Sequence, residues 1–443
     1  MRRGGVVRRT PLWGFLTAQA IATTGTRVST IAIPWFVLTS TGSATRTGLV
    51  AFAEMAPLVV LQALAGPLID RLGARRVAIF CDLVSVLVVG AIPALHVLDL
   101  LTFPLLLVLV ALAGSLRGPG EAAKHSMLPA LVEHARVPTE RVTGLSGAVE
   151  RTASMAGAAV AGGLVALVGG ANALVVDAGS FLLSGLVLAF TTRGMRTSAQ
   201  VVEEGAPGAR LETTPTSYLA ELREGWDFMR RDVVLVGIAV MVAITNLLDQ
   251  AWASVLVPVW ARDSGYGVGA VGLLFAVFGG SAIAGSVAAA TFATRLPRYR
   301  TYLIAFLLCG APRFVTLALQ APIWLVLAVA VVGGCAAGFL NPVLGAVLFD
   351  RIPAPLMGRV SSMNIAMSWS LIPFGGLLGG VLVAGIGLSP ALLLVGGAYF
   401  MTTMLPAVQP RWREMDHRPG CAHHTNDDQH RLPDGGDQFT RRT

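Results

Sequence analysis

The chain has 443 residues, of which 54% are hydrophobic and only 13% charged, with 50 glycines and a mean hydropathy of +0.69. That composition excludes an ordinary water-soluble globule and points to a bilayer. The formal charge of +8 sits in short basic clusters between apolar runs, not on one continuous face, which argues against nucleic acid as a partner.

A helix needs about 20 mostly apolar residues to cross the hydrocarbon core. Runs of that kind occupy 12–38, 47–69, 77–98, 101–122, 144–168 and 172–192, then 233–258, 269–292, 300–319, 322–349, 361–385 and 389–408. The expected architecture is an all-α membrane protein of twelve transmembrane helices, with six-helix bundles over 1–192 and 233–408. Between them, 193–232 reads as a cytoplasmic linker: EEGAPG and TTPTS are flexible in composition, and Tyr218, Leu219, Leu222, Trp226 and Met229 then fall at helical spacing, as in an amphipathic helix on the membrane surface. The segment 409–443 reads as a disordered cytoplasmic tail. Its His417, Cys421, His423, His424 and His430 stand among Asp, Gly and Pro, as in a solvated tail more than in a metal site. Cys81, Cys309 and Cys335 lie inside apolar runs, so neither a disulfide framework nor a metal cluster is expected.

Positive residues stay on the cytoplasmic side. With both termini inside, the internal connections hold Arg2, Arg3, Arg8 and Arg9, then Arg71, Arg75 and Arg76, then Lys124, Arg136 and Arg141, while the external ones hold only Arg46 and Arg262. The reading is a multi-pass protein of the inner (cytoplasmic) membrane. Its opening RRGGVVRRTPLWGFLTAQA imitates a twin-arginine export signal, but eleven further spans favour a retained first helix.

The halves echo each other. RVPTERVTGL (136–145) precedes the fifth span and RIPAPLMGRVSSM (351–363) the eleventh, and each is followed by a glycine pair, Gly162-Gly163 and Gly379-Gly380. Parallel repeats of this kind bind substrate between the halves. Between the second and third spans stands GPLIDRLGARR (66–76), with Gly66, Asp70, Arg71, Gly73, Arg75 and Arg76. This stretch resembles the signature between helices two and three of the major facilitator superfamily. TIAIPWFVLTSTGSATRTGLVAFAEMAPLVVLQAL before it, VVDAGSFLLSGL in the sixth span and RIPAPLMGRVSSM resemble the macrolide-efflux and enterobactin-exporter branch. The resemblance implies a twelve-helix exporter alternating between inward-open and outward-open states, driven by protons. It also implies that Asp70 engages the other half in the outward-open state, acting with Gly66 as a conformational latch, and that an arginine at the place of Arg117 assists proton transfer. The chain departs from the family twice: Gly25 is followed by Thr26 and Arg27 where several exporters carry an acid, and GAAVAGG (157–163) lacks the proline of the antiporter signature.

An ionisable group at mid-bilayer costs roughly 2.5–3.5 kcal/mol on insertion scales, so each calls for a partner or a wet cavity. Helix one carries a stripe of Gln19, Thr23, Thr26, Arg27 and Thr30 at three- and four-residue spacing, which should face a central cavity. Glu54 of helix two is expected within reach of Arg27. Proton coupling is expected from Glu54, Arg117, Glu150 or Asp249, and the substrate cavity from Gln19, Thr23, Arg27, Asn246, Asp249 and Trp252. In helix six, Asp177 matches a position of the family that the chain resembles, with bonding to a neighbouring backbone as the structural alternative.

No G-x-x-x-x-G-K-[ST] loop is present, since the only lysine, Lys124, follows Ala123; no cofactor is expected and an ion gradient must supply the energy. The expected partners are a small-molecule substrate, protons and membrane lipid, with the chain a monomer. Two other readings stand beside the exporter: an importer or uniporter of the same fold, and a polytopic membrane enzyme. The enzyme would want clustered catalytic groups, whereas His96, His125 and His134 do not cluster.

Overall fold

The computed structural model describes residues 9–193, 226–292, 296–353, 356–409 and 412, and these contain no strand. The first bundle is built from α1 (Thr10–Thr41), α2 (Ala44–Leu64), α3 (Gly66–Leu72), α4 (Ala74–Val97), α5 (Phe103–Ser126), α6 (Leu128–Ala135), α7 (Thr139–Val168) and α8 (Gly170–Thr191). The second begins with α9 (Val233–Ala251), a π-turn at Trp252–Leu256 and α10 (Val257–Asp263), which together make one span. It continues through α11 (Gly267–Phe292), α12 (Arg298–Cys309), α13 (Ala311–Ala318), α14 (Ile323–Arg351), α15 (Met357–Trp369), α16 (Ile372–Ile386) and α17 (Leu388–Val408).

Eleven of the described helical stretches are long and apolar enough to cross a membrane. Helix α1 is the twelfth. Its 32 residues reach about 48 Å, but the polar stripe lowers its apolarity, and it packs chiefly on α8 and α7 inside the bundle. Leu87, Leu167 and Phe190 are among many large apolar side chains left exposed, a surface suited to acyl chains and not to water. The chain is a multi-pass, all-α membrane protein.

Proline marks where expected spans are broken. The ninth divides at Gly310 just before Pro312, and the eleventh at Ser370–Leu371 just before Pro373, because proline offers no backbone N–H to the preceding turn. The fourth runs past its expected end at 122, to Ser126, and so carries Lys124 on the helix instead of in a connection. GPLIDRLGARR is mostly helical, with the reversal concentrated at Gly73, whose φ of +87° suits glycine alone.

Two regions read as separate from the bundles begin within them. Met229 is fully buried with Leu235, Ile352 and Val360, while Trp226 is exposed; Tyr218, Leu219 and Leu222 lie outside the described residues. Trp412, expected in the disordered tail, is buried 5.8 Å from the Tyr302 ring, with its Nε1 donating to Gln409 Oε1 at 3.1 Å. The tail histidines and Cys421 also lie outside the described residues.

Among the described residues the bundles meet most closely at one end, the end of the α1–α2, α7–α8 and α16–α17 turns. There α2 crosses α16 and α7 crosses α11. A Cβ on Gly162 would lie 2.7 Å from Gly272 Cα, one on Gly380 would lie 2.7 Å from Ala44 O, and Phe52 meets Phe374 at 5.6 Å. The paired glycines of the two repeats thus fall at the two crossings. Arg262 Nη1 adds a bond to Gly42 O at 3.3 Å. Nearer the middle of the membrane, Arg151 Nη1 of α7 also donates to Ser286 Oγ of α11 at 3.0 Å. At the opposite end, where α3 lies, the bundles diverge around a cavity.

Candidate functional site

The cavity has a volume of about 360 Å³ and lies between the bundles, but most of its wall comes from the first. Gln19, Thr23, Thr26, Arg27 and Thr30 of α1 all line it, so the polar stripe faces inward. Gln19 is anchored by Ser146 Oγ, which donates to its Oε1 at 2.8 Å. Glu54, Arg117 and Glu150 also line the wall.

Glu54 does not meet Arg27. It is paired with Arg117 of α5, hydrogen-bonded as well as ion-paired, while Arg27 stands exposed in the cavity with no ion-pair partner among the described residues. The cause is local packing. Gly114 and Gly118, a G-x-x-x-G pair on α5, let the α2 backbone approach so closely that a Cβ on Gly118 would lie 2.9 Å from Gln62 N. That contact sets Glu54, at the midpoint of α2, against the guanidinium one position from Gly118. GSLRG was the available sequence signal for it. Arg117 Nη2 also lies 3.9 Å from Glu121, one turn further along α5.

A second buried pair lies closer to the open end and was not anticipated. Lys124 Nζ donates to Asp82 Oδ1 at 2.8 Å, and Ser184 Oγ donates to Asp82 Oδ2 at 2.7 Å. Asp82 is only 3% exposed. Asp177, 1% exposed, accepts hydroxyl bonds from Ser29 and Ser180, so it joins α8 to α1 and is satisfied by side chains instead of backbone.

In the second bundle the expected polar and aromatic wall is turned elsewhere. Asn246 Nδ2 donates to Ser368 O at 2.8 Å, holding α9 to α15. Asp249 pairs with Arg313 of α13. Trp252 is buried edge-on to Phe275 and carries the Arg313 guanidinium 4.9 Å from its ring, with Phe314 and Tyr399 completing an aromatic cage at 4.8 and 5.0 Å. The three residues share a face as the spacing implied, but the half-buried Arg313 occupies the part of it that holds Asp249 and Trp252. The adjacent one, with Gln250, Ala253 and Ser254, lines the cavity, joined by Trp369 and Ile372.

The GPLIDRLGARR residues divide. Asp70, Arg71 and Arg76 are exposed, and Asp70 has no hydrogen-bond or ion-pair partner among the described residues. Gly66 permits no close approach here: a Cβ on it would have open space around it. Arg75 instead donates from Nε to Thr192 Oγ1 at 2.7 Å and from Nη2 to Ala189 O at 2.8 Å, capping the C-terminus of α8, where a cation also complements the helix dipole.

A sequence profile of the Major Facilitator Superfamily matches residues 15–249 and 239–412. The multidrug efflux pump Tap of Mycobacterium tuberculosis (strain ATCC 25618 / H37Rv) is 30% identical over 414 residues, covering 93% of this chain and 96% of that protein. Tap of Mycolicibacterium fortuitum is 28% identical over 412 residues, covering 92% and 98%. Among solved structures, the nucleoside transporter NupG aligns with a TM-score of 0.64 at 14% identity, covering 89% of this chain and 98% of that one. A bacterial homolog of the human lysosomal transporter Spinster, in an inward-facing and occupied conformation, also gives 0.64 at 14% identity over 94% of this chain and 100% of that one. With twelve spans in two bundles and a profile match over nearly its whole length, the chain belongs to the Major Facilitator Superfamily.

Proposed function

We propose that this protein is a secondary active exporter of a small hydrophobic or amphipathic compound, a drug, antibiotic or siderophore-like metabolite, working by proton antiport with alternating access. The observation that carries it is a buried carboxylate–guanidinium pair, Glu54–Arg117, on the wall of a cavity sealed at one end and open at the other. The resemblance to multidrug efflux pumps supports export. Arg71, Arg75, Arg76, Arg136 and Arg141 belong to the open end, while Arg46 and Arg262 flank the closed one, which supports reading the open end as cytoplasmic. Cargo then enters from the cytosol or inner leaflet. One proton moving down about 150 mV yields roughly 3.5 kcal/mol, enough for a concentration ratio of about 300.

The test is accumulation of a panel of labelled antibiotics and amphipathic dyes in inverted membrane vesicles. Uncoupler-sensitive uptake is expected for at least one compound. Uptake in right-side-out vesicles instead marks an importer, and downhill, uncoupler-insensitive flux a uniporter.

Asp70 serves as the latch of the other state. Its exposed position here means that Asp70→Asn leaves the inward-open form as stable as the wild type, judged by thermal melting, yet slows turnover by about tenfold or more, as the loss of one charge-assisted bond of 1.5–3 kcal/mol implies. Normal export by a well-folded Asp70→Asn protein would remove the latch.

A further inference from the structure

We propose that the Lys124–Asp82 pair is the station at which the coupling proton is exchanged with the cytoplasmic side of the cavity. The inference rests on the antiport reading, and concerns a pair on which that reading does not depend.

Three observations support it. The first is placement. Arg117, Glu121 and Lys124 stand at intervals of four and three residues on one face of α5, with Glu54 paired to the first and Asp82 to the last. The order Glu54, Arg117, Glu121, Lys124, Asp82 alternates in sign and runs from mid-membrane toward the open end, the two cations being about 10 Å apart along the helix. All five line the cavity.

The second is the choice of residue. Every other basic side chain among the 33 is arginine, and the single lysine is the one set against a buried carboxylate at the cavity wall. A guanidinium would neutralise Asp82 or mark the cytoplasmic side equally well. What it cannot do is release a proton, whereas an ammonium can. The third is shielding: the Lys124 side chain is 12% exposed and that of Asp82 4%, with Ser184 holding the second carboxylate oxygen.

The step is a proton shift followed by release. The Nζ–H bond of Lys124 breaks as an O–H bond forms at Asp82 Oδ1, turning ammonium and carboxylate into amine and carboxylic acid without changing the net charge. Water at the cytoplasmic mouth then accepts the proton, leaving amine and carboxylate, and the pair is recharged from the Glu54 side through Glu121. Besides Arg27, Glu54 and Arg117, the ionisable groups that share the cavity wall with the pair are Cys81 on the helix of Asp82, Glu121 and His125 on α5 and Glu150 on α7; on α8 the sequence offers only Asp177, two turns from Ser184.

The experiment follows the conformational response to a pH jump from 8 to 6 in lipid nanodiscs, read by hydrogen exchange at 44–52 and 267–275 of the sealed end after correction for the intrinsic pH dependence of exchange. No cargo is needed. Wild-type protein is expected to change its protection at least fivefold. Lys124→Arg, which keeps the charge and fold, is expected to lose that response while its melting temperature stays near the wild-type value. The double variant Asp82→Asn/Lys124→Met, free of both charges, is expected to remain equally unresponsive. A full response in Lys124→Arg, or its return in the double variant, overturns the proposal and leaves the pair as structural neutralisation. A wild type without any response overturns the antiport reading and this proposal together.

Discussion

Replacing Glu54 by Gln should reduce the cargo gradient from as much as about 300-fold to unity, with binding of cargo retained. The carboxyl is 6% exposed and lies at the midpoint of α2, against Arg117 and on the cavity wall. If the proposed cycle desolvates it in one state and hydrates it in the other, its hold on a proton alternates with the state. Glutamine copies the protonated form permanently. The competing explanation is that Glu54 only neutralises Arg117, whose nearest other acid, Glu121, is 3.9 Å away. Removing one partner of a buried pair costs about 3–5 kcal/mol, but removing both can be nearly neutral. Uncoupler-sensitive accumulation by Glu54→Gln/Arg117→Gln would therefore reduce Glu54 to a counter-ion, whereas continued loss of the gradient assigns the coupling to the Glu54–Arg117 pair.

The second large effect belongs to the sealed end. Gly162→Leu places a side chain where even a Cβ is 2.7 Å from Gly272 Cα, with backbone on the opposing side and no flexible group to yield. Overpacking of this sort costs about 1–3 kcal/mol; under the proposed alternating-access cycle the cost would fall on the arrangement in which α7 and α11 touch and shift the ratio of states by roughly 5–150-fold toward the opposite one. Hydrogen exchange should show peptides at 44–52 and 267–275 losing protection, and export should fall in proportion. Unchanged protection would mean that α7 and α11 part without consequence for the seal.

Much of the fold was legible because hydrophobic run length is a strong signal. The spans were found in order, and the inward face of α1 followed from its three- and four-residue polar spacing. What sequence could not supply was the azimuth of each helix about its own axis. Glu54 pairs with Arg117 and not Arg27 because Gly114 and Gly118 fix how α2 lies on α5. Asp249 and Trp252 share a face, yet that face belongs to Arg313 and its aromatic cage. Lys124 looked like a connection charge because hydropathy falls there, whereas helical backbone continues to Ser126. The expected latch at Asp70 is not formed here: the residue is exposed and has no partner among the described residues, and a motif alone does not say which neighbour a side chain meets.

The cavity wall is electrically one-sided. Apart from the Cys81 thiol, its ionisable residues are Arg27, Glu54, Asp82, Arg117, Glu121, Lys124, His125 and Glu150, all on the first bundle, while the second contributes Gln250, Ala253, Ser254, Trp369 and Ile372. With His125 neutral, the charged set holds one more acid than base, and protonation of a single carboxylate brings it to zero. A membrane voltage exerts about 2.3 kcal/mol per elementary charge per 100 mV, so among these groups it acts on the first bundle, and chiefly when the proton is absent. The second bundle brings no ionisable side chain to the cavity wall, and its Asp249–Arg313 pair is neutral as a unit. Under the proposed antiport cycle, voltage and proton occupancy would be two inputs to one element, and the resting potential would bias which face of the membrane the empty carrier presents.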